Sequence, residues 1–233
     1  MSAPETDIWT TAERYLTQQK EIYGDLLYRD AAVQEAQSPD SGNLFAFEKT
    51  VQDCTRCALA SNRTRVVFGN GSPHARLMII GEGPGEDEDK AGLPFVGKAG
   101  QLLEKMLAAI EFTREEVFIA NIVKCRPPGN RNPSTDEIEA CLPYLKKQID
   151  LIKPRLILSL GRISAQSLLG MDAPLNQLRG RFHQFGDAQV LVTYHPAALL
   201  RNPEWKRPAW ADLQLLRKTY DDIVGDKPVW KKP

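Results

Sequence analysis

The chain is predicted to be an α/β protein: three α/β/α layers around a central, mostly parallel four-stranded sheet, preceded by an N-terminal helical extension. Two observations carry that prediction. Short apolar runs alternate with longer amphipathic segments from residue 77 to residue 223, the order that repeated β-then-α units produce. The 233 residues, 42% of them hydrophobic, suffice for one sizeable core with an appendage.

The elements follow in order. Residues 7–30 place Ile8, Ala12, Tyr15, Leu16, Ile22, Tyr23, Leu26 and Leu27 at helical spacing on one face. Gln37-Ser-Pro-Asp-Ser-Gly42 reads as a linker, and a short helix is expected over about Leu44–Gln52. Leu77–Ile80 is a buried strand, and a long loop rich in glycine and acids leads from it to a helix over 100–110. Strand Val117–Val123 precedes a helix over 135–152, whose Ser134-Thr-Asp-Glu137 start is a capping box. Strand Leu156–Leu160 precedes a helix over 162–169. Strand Val190–Thr193 precedes a loop and a last helix, about Pro208–Ile223. The organisation implied is an extension over 1–40, a domain over 41–225 and a tail over 226–233.

No run of eighteen apolar residues is present, and the N-terminal residues lack the basic start and apolar core of a secretory signal. A cytoplasmic protein without membrane contact is expected. The formal net charge of zero hides an asymmetry. Residues 1–53 carry four Lys and Arg against ten Asp and Glu, net −6; the remainder carries 26 against 20, net +6. A basic body is compatible with a polyanionic partner, although a solvated surface has the same composition.

Parallel strands share a carboxyl edge, where open α/β sheets place ligands. Three chemically rich loops leave that edge: Gly81-Glu-Gly-Pro-Gly85 with the acids 86–89 and Phe95; Asn121 with Lys124–Pro133; and Tyr194-His195-Pro196. Gly92–Lys98 approaches a phosphate-binding loop. Ala99, however, has no hydroxyl for magnesium, and Pro94 removes an amide that would face phosphate.

The four cysteines form a Cys54-x-x-Cys57 pair with Cys125 and Cys141 much later. Disulfides are disfavoured in a cytosolic chain, which leaves tetrahedral zinc, an iron–sulfur cluster or unrelated thiols. The absence of a second compact CxxC, and the nearby Arg56, Arg63, Arg65, Lys124 and Arg126, favour the cluster.

Taken together, Gly81-Glu-Gly-Pro-Gly85, Pro94-Phe-Val-Gly-Lys-Ala-Gly100, Asn121-Ile-Val-Lys-Cys125, His195-Pro-Ala and the cysteine spacing resemble the family 4 (iron–sulfur) uracil-DNA glycosylases from about Leu44 to Asp222. The resemblance implies a monofunctional DNA-repair hydrolase that flips uracil from DNA and releases it. It implies a [4Fe–4S] cluster on Cys54, Cys57, Cys125 and Cys141, acting as a staple. Gly83, Phe95, Asn121 and His195 would bind uracil: Phe95 by stacking, Asn121 by pairing with the base edge, and His195 by stabilising negative charge on O2. Glu82 would position water, with Glu88 as second candidate, tied to Asn130. The best-known relatives carry an aspartate where this chain has Gly83. Leu199 and Leu200 would wedge into the gap left by the base. Lys98, Arg131, Arg201, Lys206 and Arg207 would touch phosphate. A monomer acting on single- or double-stranded uracil-DNA is expected, with the N-terminal helix available to a replication or repair partner. A cluster protein that binds DNA without cleaving it is the competing reading.

Overall fold

The computed structural model describes residues 39–230; the helix expected over 7–30 lies outside them. Helix α1 (Pro39–Val51) leads through the first two cysteines to a six-stranded sheet ordered β1-β3-β2-β4-β6-β5. The strands are β1 (Asn70–Gly71), β2 (Leu77–Gly81), β3 (Phe118–Asn121), β4 (Leu156–Leu160), β5 (Phe182–Phe185) and β6 (Ala188–Thr193). The four central strands, β3-β2-β4-β6, run parallel, as expected. The sheet has six strands rather than four because short antiparallel edges flank that centre. β1 pairs with β3, and β5 forms a hairpin with β6.

The central strands are largely apolar because both of their faces are covered. Leu77 and Ile79 of β2 face one core, and Met78 and Ile80 face the other. Leu156, Leu158 and Leu160 of β4 join the first layer, and Ile157 joins the second. The first layer is closed by helices α3 (Lys98–Ala108) and α8 (Lys206–Ile223), through Leu103, Leu107, Leu213 and Leu216. The second is closed by α1, α4 (Thr135–Ile152), α5 (Arg162–Leu169) and the single turn α6 (Leu175–Leu178). Ser159 is the polar exception on β4. Its hydroxyl pairs with Ser164, which donates to the carbonyl of Ile80, so the buried groups are satisfied.

Two short helices replace expected loops. The acids 86–89 begin α2 (Glu86–Ala91), where carboxylates complement the partial positive charge of a helix N-terminus. They are not uniformly solvated. Asp89 is buried and accepts hydrogen bonds from the amides of Thr64 and Arg65. The segment after His195 is α7 (Pro196–Arg201), with Pro196 in its first turn, where a missing N–H costs nothing. α4 starts at the expected capping box: Ser134 and Glu137 satisfy each other's backbone amides.

The C-terminal side of the sheet is fixed by a buried carboxylate. Asp212 of α8, 2% exposed, accepts from Thr193 Oγ1 at 2.7 Å and pairs with Arg179 at 2.9 Å. Asp212→Ala would leave Arg179 without its counter-charge and is expected to cost about 3 kcal/mol. Urea denaturation measures the loss.

Candidate active site

The carboxyl ends of β2, β3 and β6 deliver Glu82, Asn121 and His195 to one cleft of about 350 Å³. Phe95, Gly83 and Arg201 line the same cleft. The three expected recognition residues, Phe95, Asn121 and His195, therefore share one space.

Phe95 is held there by its backbone. It sits in the left-handed region at φ 54°, which is costly for a bulky residue and must be over-determined by its surroundings. Three contacts do this. Arg114 donates to the carbonyls of Pro94 and Phe95. Gly100 lets α3 pass so close that a Cβ there would lie 1.9 Å from the Phe95 oxygen. Gly81 is bare on the other side; a Cβ would meet the Phe95 ring at 2.6 Å and Asn121 Oδ1 at 2.4 Å. The ring is only 5% exposed, and its centroid is 5.6 Å from that of His195.

Asn121 is buried, and its Oδ1 has no hydrogen-bond partner. A buried acceptor without a partner, on a residue that lines a cleft, is costly and calls for a ligand or water. The backbone of Asn121 is pinned by Lys124, whose buried ammonium donates to its carbonyl and to Gln148 Oε1.

His195 caps α7: its Nδ1 accepts from the Ala197 amide at 3.2 Å. That bond leaves the proton of the neutral ring on Nε2. Burial, with the Arg201 charge adding to it, pulls the imidazole down from 6.5 to about 4. At neutral pH His195 is thus an uncharged donor. Glu82 is half-buried in the cleft. Burial raises its carboxyl, and the Arg162 charge opposes that rise.

Glu88 lines the cleft but is not free for chemistry. Its carboxylate accepts from the amides of Gly85, Val96 and Gly97 at 2.9–3.1 Å, tying the two halves of the long loop together. It has no bond to Asn130, whose Oδ1 accepts from Arg126 instead. Gly83 presents only backbone; a Cβ would lie 2.8 Å from Val123. That contact explains physically why no side chain stands at this position.

The residues expected to meet DNA divide. Leu199 is 2% exposed and packs in the core beneath α7, so it is unavailable as a surface wedge. Leu200, one helical step on, is 47% exposed. Arg201 lines the cleft. Arg131 also lines it, but its guanidinium is engaged by both oxygens of Glu137 at 2.6 and 2.8 Å. Lys98, exposed in the first turn of α3, is not a lining residue.

The four cysteines carry no disulfide and border one small cavity between α1, α4 and the loop after β3, at Lys124 and Cys125. No three of their side chains, with or without His, Asp or Glu, are grouped for a single metal ion among the described residues. Each of three sulfurs receives a donor: Tyr144 Oη to Cys54 and the Lys124 amide to Cys141, both at 3.2 Å, and Arg63 to Cys125 at 3.5 Å. Four thiols, three of them with N–H or O–H donors aimed at the sulfur, and three cations, Arg56, Arg63 and Lys124, around the same cavity form a set suited to a thiolate-bound cluster. Arg114 escaped sequence reasoning, and Glu88 was expected in a different role. Apart from the Gly85–Glu88 cap, their bonds to backbone groups span 8–20 residues, and no local pattern announces them.

The sequence that builds this sheet and cleft is similar to known proteins. Residues 68–214 match the family described as "Uracil DNA glycosylase superfamily". A "Type-4 uracil-DNA glycosylase" of Thermotoga maritima is 45% identical over 184 residues, covering 78% of this chain and 92% of the relative. One of Sulfurisphaera tokodaii is 43% identical over 202 residues, covering 79% and 92%. A "Type-5 uracil-DNA glycosylase" of Thermus thermophilus is 30% identical over 151 residues, covering 56% and 68%. The chain belongs to the uracil-DNA glycosylase superfamily and, within it, to the type-4 family.

The buried histidine gives a pH signature. Between pH 6.5 and about 4 the unfolded chain holds the His195 proton and the folded chain does not, so stability falls as the pH drops through that window. His195→Gln is expected to remove that part of the acid loss, up to about 3 kcal/mol. Denaturation of both proteins at pH 7 and pH 4.5 measures it.

Proposed function

We propose that the chain is a monofunctional uracil-DNA glycosylase, hydrolysing the bond between uracil and deoxyribose in DNA and leaving an abasic site. The observation that carries this reading is the partnerless Oδ1 of Asn121, buried in a cleft that Phe95 and His195 share.

An everted base enters the cleft and stacks on Phe95, which offsets the few kcal/mol of leaving the helix. Asn121 Oδ1 accepts from uracil N3–H, and its amide donates to O4. Cytosine presents a donor and a lone pair in the opposite places and leaves both groups unpaired, a strong basis for rejection. As the glycosidic bond stretches, negative charge grows on uracil O2. The Nε2–H of neutral His195 donates to it, a preformed interaction that strengthens toward the transition state. Glu82 orients the water that attacks the sugar and opposes its developing positive charge. Glu88 serves as an organiser of the loop. Leu200 occupies the gap in the base stack, and Arg201 meets phosphate.

Cys54, Cys57, Cys125 and Cys141 would hold a [4Fe–4S] cluster. Bound there, it ties the segment after α1 to the loop after β3 and contributes no step to hydrolysis.

Release of free uracil from a uracil-containing oligonucleotide tests the function directly; retention of all the uracil in the strand after prolonged incubation contradicts it. His195→Ala is expected to lower single-turnover rate by at least ~10²-fold with DNA affinity nearly kept, and an unchanged rate would remove the imidazole from the mechanism. Purified protein is expected to be brown, and Cys125→Ser to lose the visible absorbance; a colourless wild type that contains zinc overturns the cluster.

A further inference from the structure

A second aromatic surface stands beside the cleft, on residues the mechanism does not use. It is built in layers from the interior outward. Asp212 fixes Arg179 through both oxygens, at 2.9 Å to Nη2, and the same guanidinium donates to the Pro208 carbonyl at 2.8 Å. The guanidinium carbon of Arg179 lies 4.9 Å from the centre of the Tyr194 ring. Tyr194 in turn stacks on Trp205, with centroids 5.0 Å apart and planes within 23°. Trp205 ends the turn Pro203–Trp205 between α7 and α8 and remains 36% exposed. Carboxylate, guanidinium, phenol and indole thus form one chain of contacts, anchored in the core and ending at solvent.

We propose that the outer face of Trp205 is a stacking subsite for an unpaired base of the strand whose everted nucleotide occupies the cleft. The proposal rests on the glycosylase reading of that cleft. Three features support it. Continuity is the first: Tyr194 adjoins His195, and Arg201, one helix upstream of Trp205, lines the cleft. Charge is the second: Arg201, Lys206 and Arg207 are exposed and form no salt bridge among the described residues, against one exposed acid in the turn, Glu204. Such a rim suits a phosphate backbone passing the indole. Preorganisation is the third: a ring already immobilised on Tyr194 loses little entropy when a base is added to it.

The geometry selects the kind of base. Inside a duplex both faces of a base are covered by its neighbours. Only a base in a single strand, or one freed by local opening, offers a face to an indole. Trp205 therefore favours uracil in unpaired DNA.

The full chain, Trp205→Ala and Trp205→Phe are compared on single strands containing one uracil, in which each neighbouring nucleotide in turn lacks its base. Removal of one particular neighbour's base is expected to lower kcat/KM of the wild type about tenfold. Trp205→Ala is expected to be slower by a similar factor on the intact strand and indifferent to that removal. Trp205→Phe retains most of the rate and part of the sensitivity. On a fully paired duplex the loss in Trp205→Ala is expected to be smaller. Binding of a strand carrying 2′-fluoro-deoxyuridine is expected to quench wild-type tryptophan emission more than that of Trp205→Phe. A wild type indifferent to every neighbouring base, a Trp205→Ala as sensitive as the wild type, or equal quenching in wild type and Trp205→Phe overturns the subsite. If no protein releases uracil from any strand, the glycosylase reading fails, and the emission comparison alone still decides whether Trp205 stacks on DNA.

Discussion

The site depends on one close approach: the Phe95 loop pressed between Gly81 of β2 and Gly100 of α3. A side chain at either glycine would collide with Phe95, at 2.6 Å or less. That packing keeps Phe95 in a left-handed backbone conformation at φ 54° and its ring beside His195. Arg114 holds the two carbonyls of the loop from one side, and Glu88 gathers its amides from the other. The aromatic floor of the cleft is thus set by backbone contacts together with the packing of the ring over Gly81 and the core, as preorganised recognition requires.

Around that floor, polar groups are arranged by what they lack as much as by what they bind. Asn121 has a buried acceptor without a partner. His195 has one nitrogen committed to its own helix, leaving the other to donate. Both states are costly for a free protein and useful only if a ligand completes them. Neutral His195 also avoids placing a second cation beside Arg201, and that repulsion, with burial, accounts for its depressed pKa. The cysteine cavity lies at the far end of the same loop: Lys124, which holds the Asn121 carbonyl, is followed directly by Cys125. Cys125 and the Asn121 side chain are therefore positioned by one short segment.

Much of this was legible in the sequence, for identifiable reasons. The four parallel strands are largely apolar runs because both faces are covered, and such runs stand out. The edges did not: β1 has two residues, and β5 is half-exposed. The acids of α2 read as a loop because their charge outweighed their value at a helix N-terminus. Phe95, Asn121 and His195 were singled out through motifs, and their convergence on one cleft follows from the shared carboxyl edge. The roles of Glu88 and Leu199 were not readable. Glu88 is fixed by amides eight and nine residues away. Leu199 turns inward because α7 is a helix, whose successive side chains point about 100° apart, and Leu200 alone of the pair faces solvent. The chain of contacts to Trp205 was equally invisible, because it joins four residues from three separate segments.

The central claim is that Asn121 and His195 read one bound base together. Titration of the protein with free uracil, followed by NMR of the Asn121 side-chain amide and the His195 ring Nε2–H, tests it most directly. Both signals should shift along a single binding curve with uracil and stay in place with cytosine. Shifts on separate curves, or equal shifts with cytosine, would contradict it.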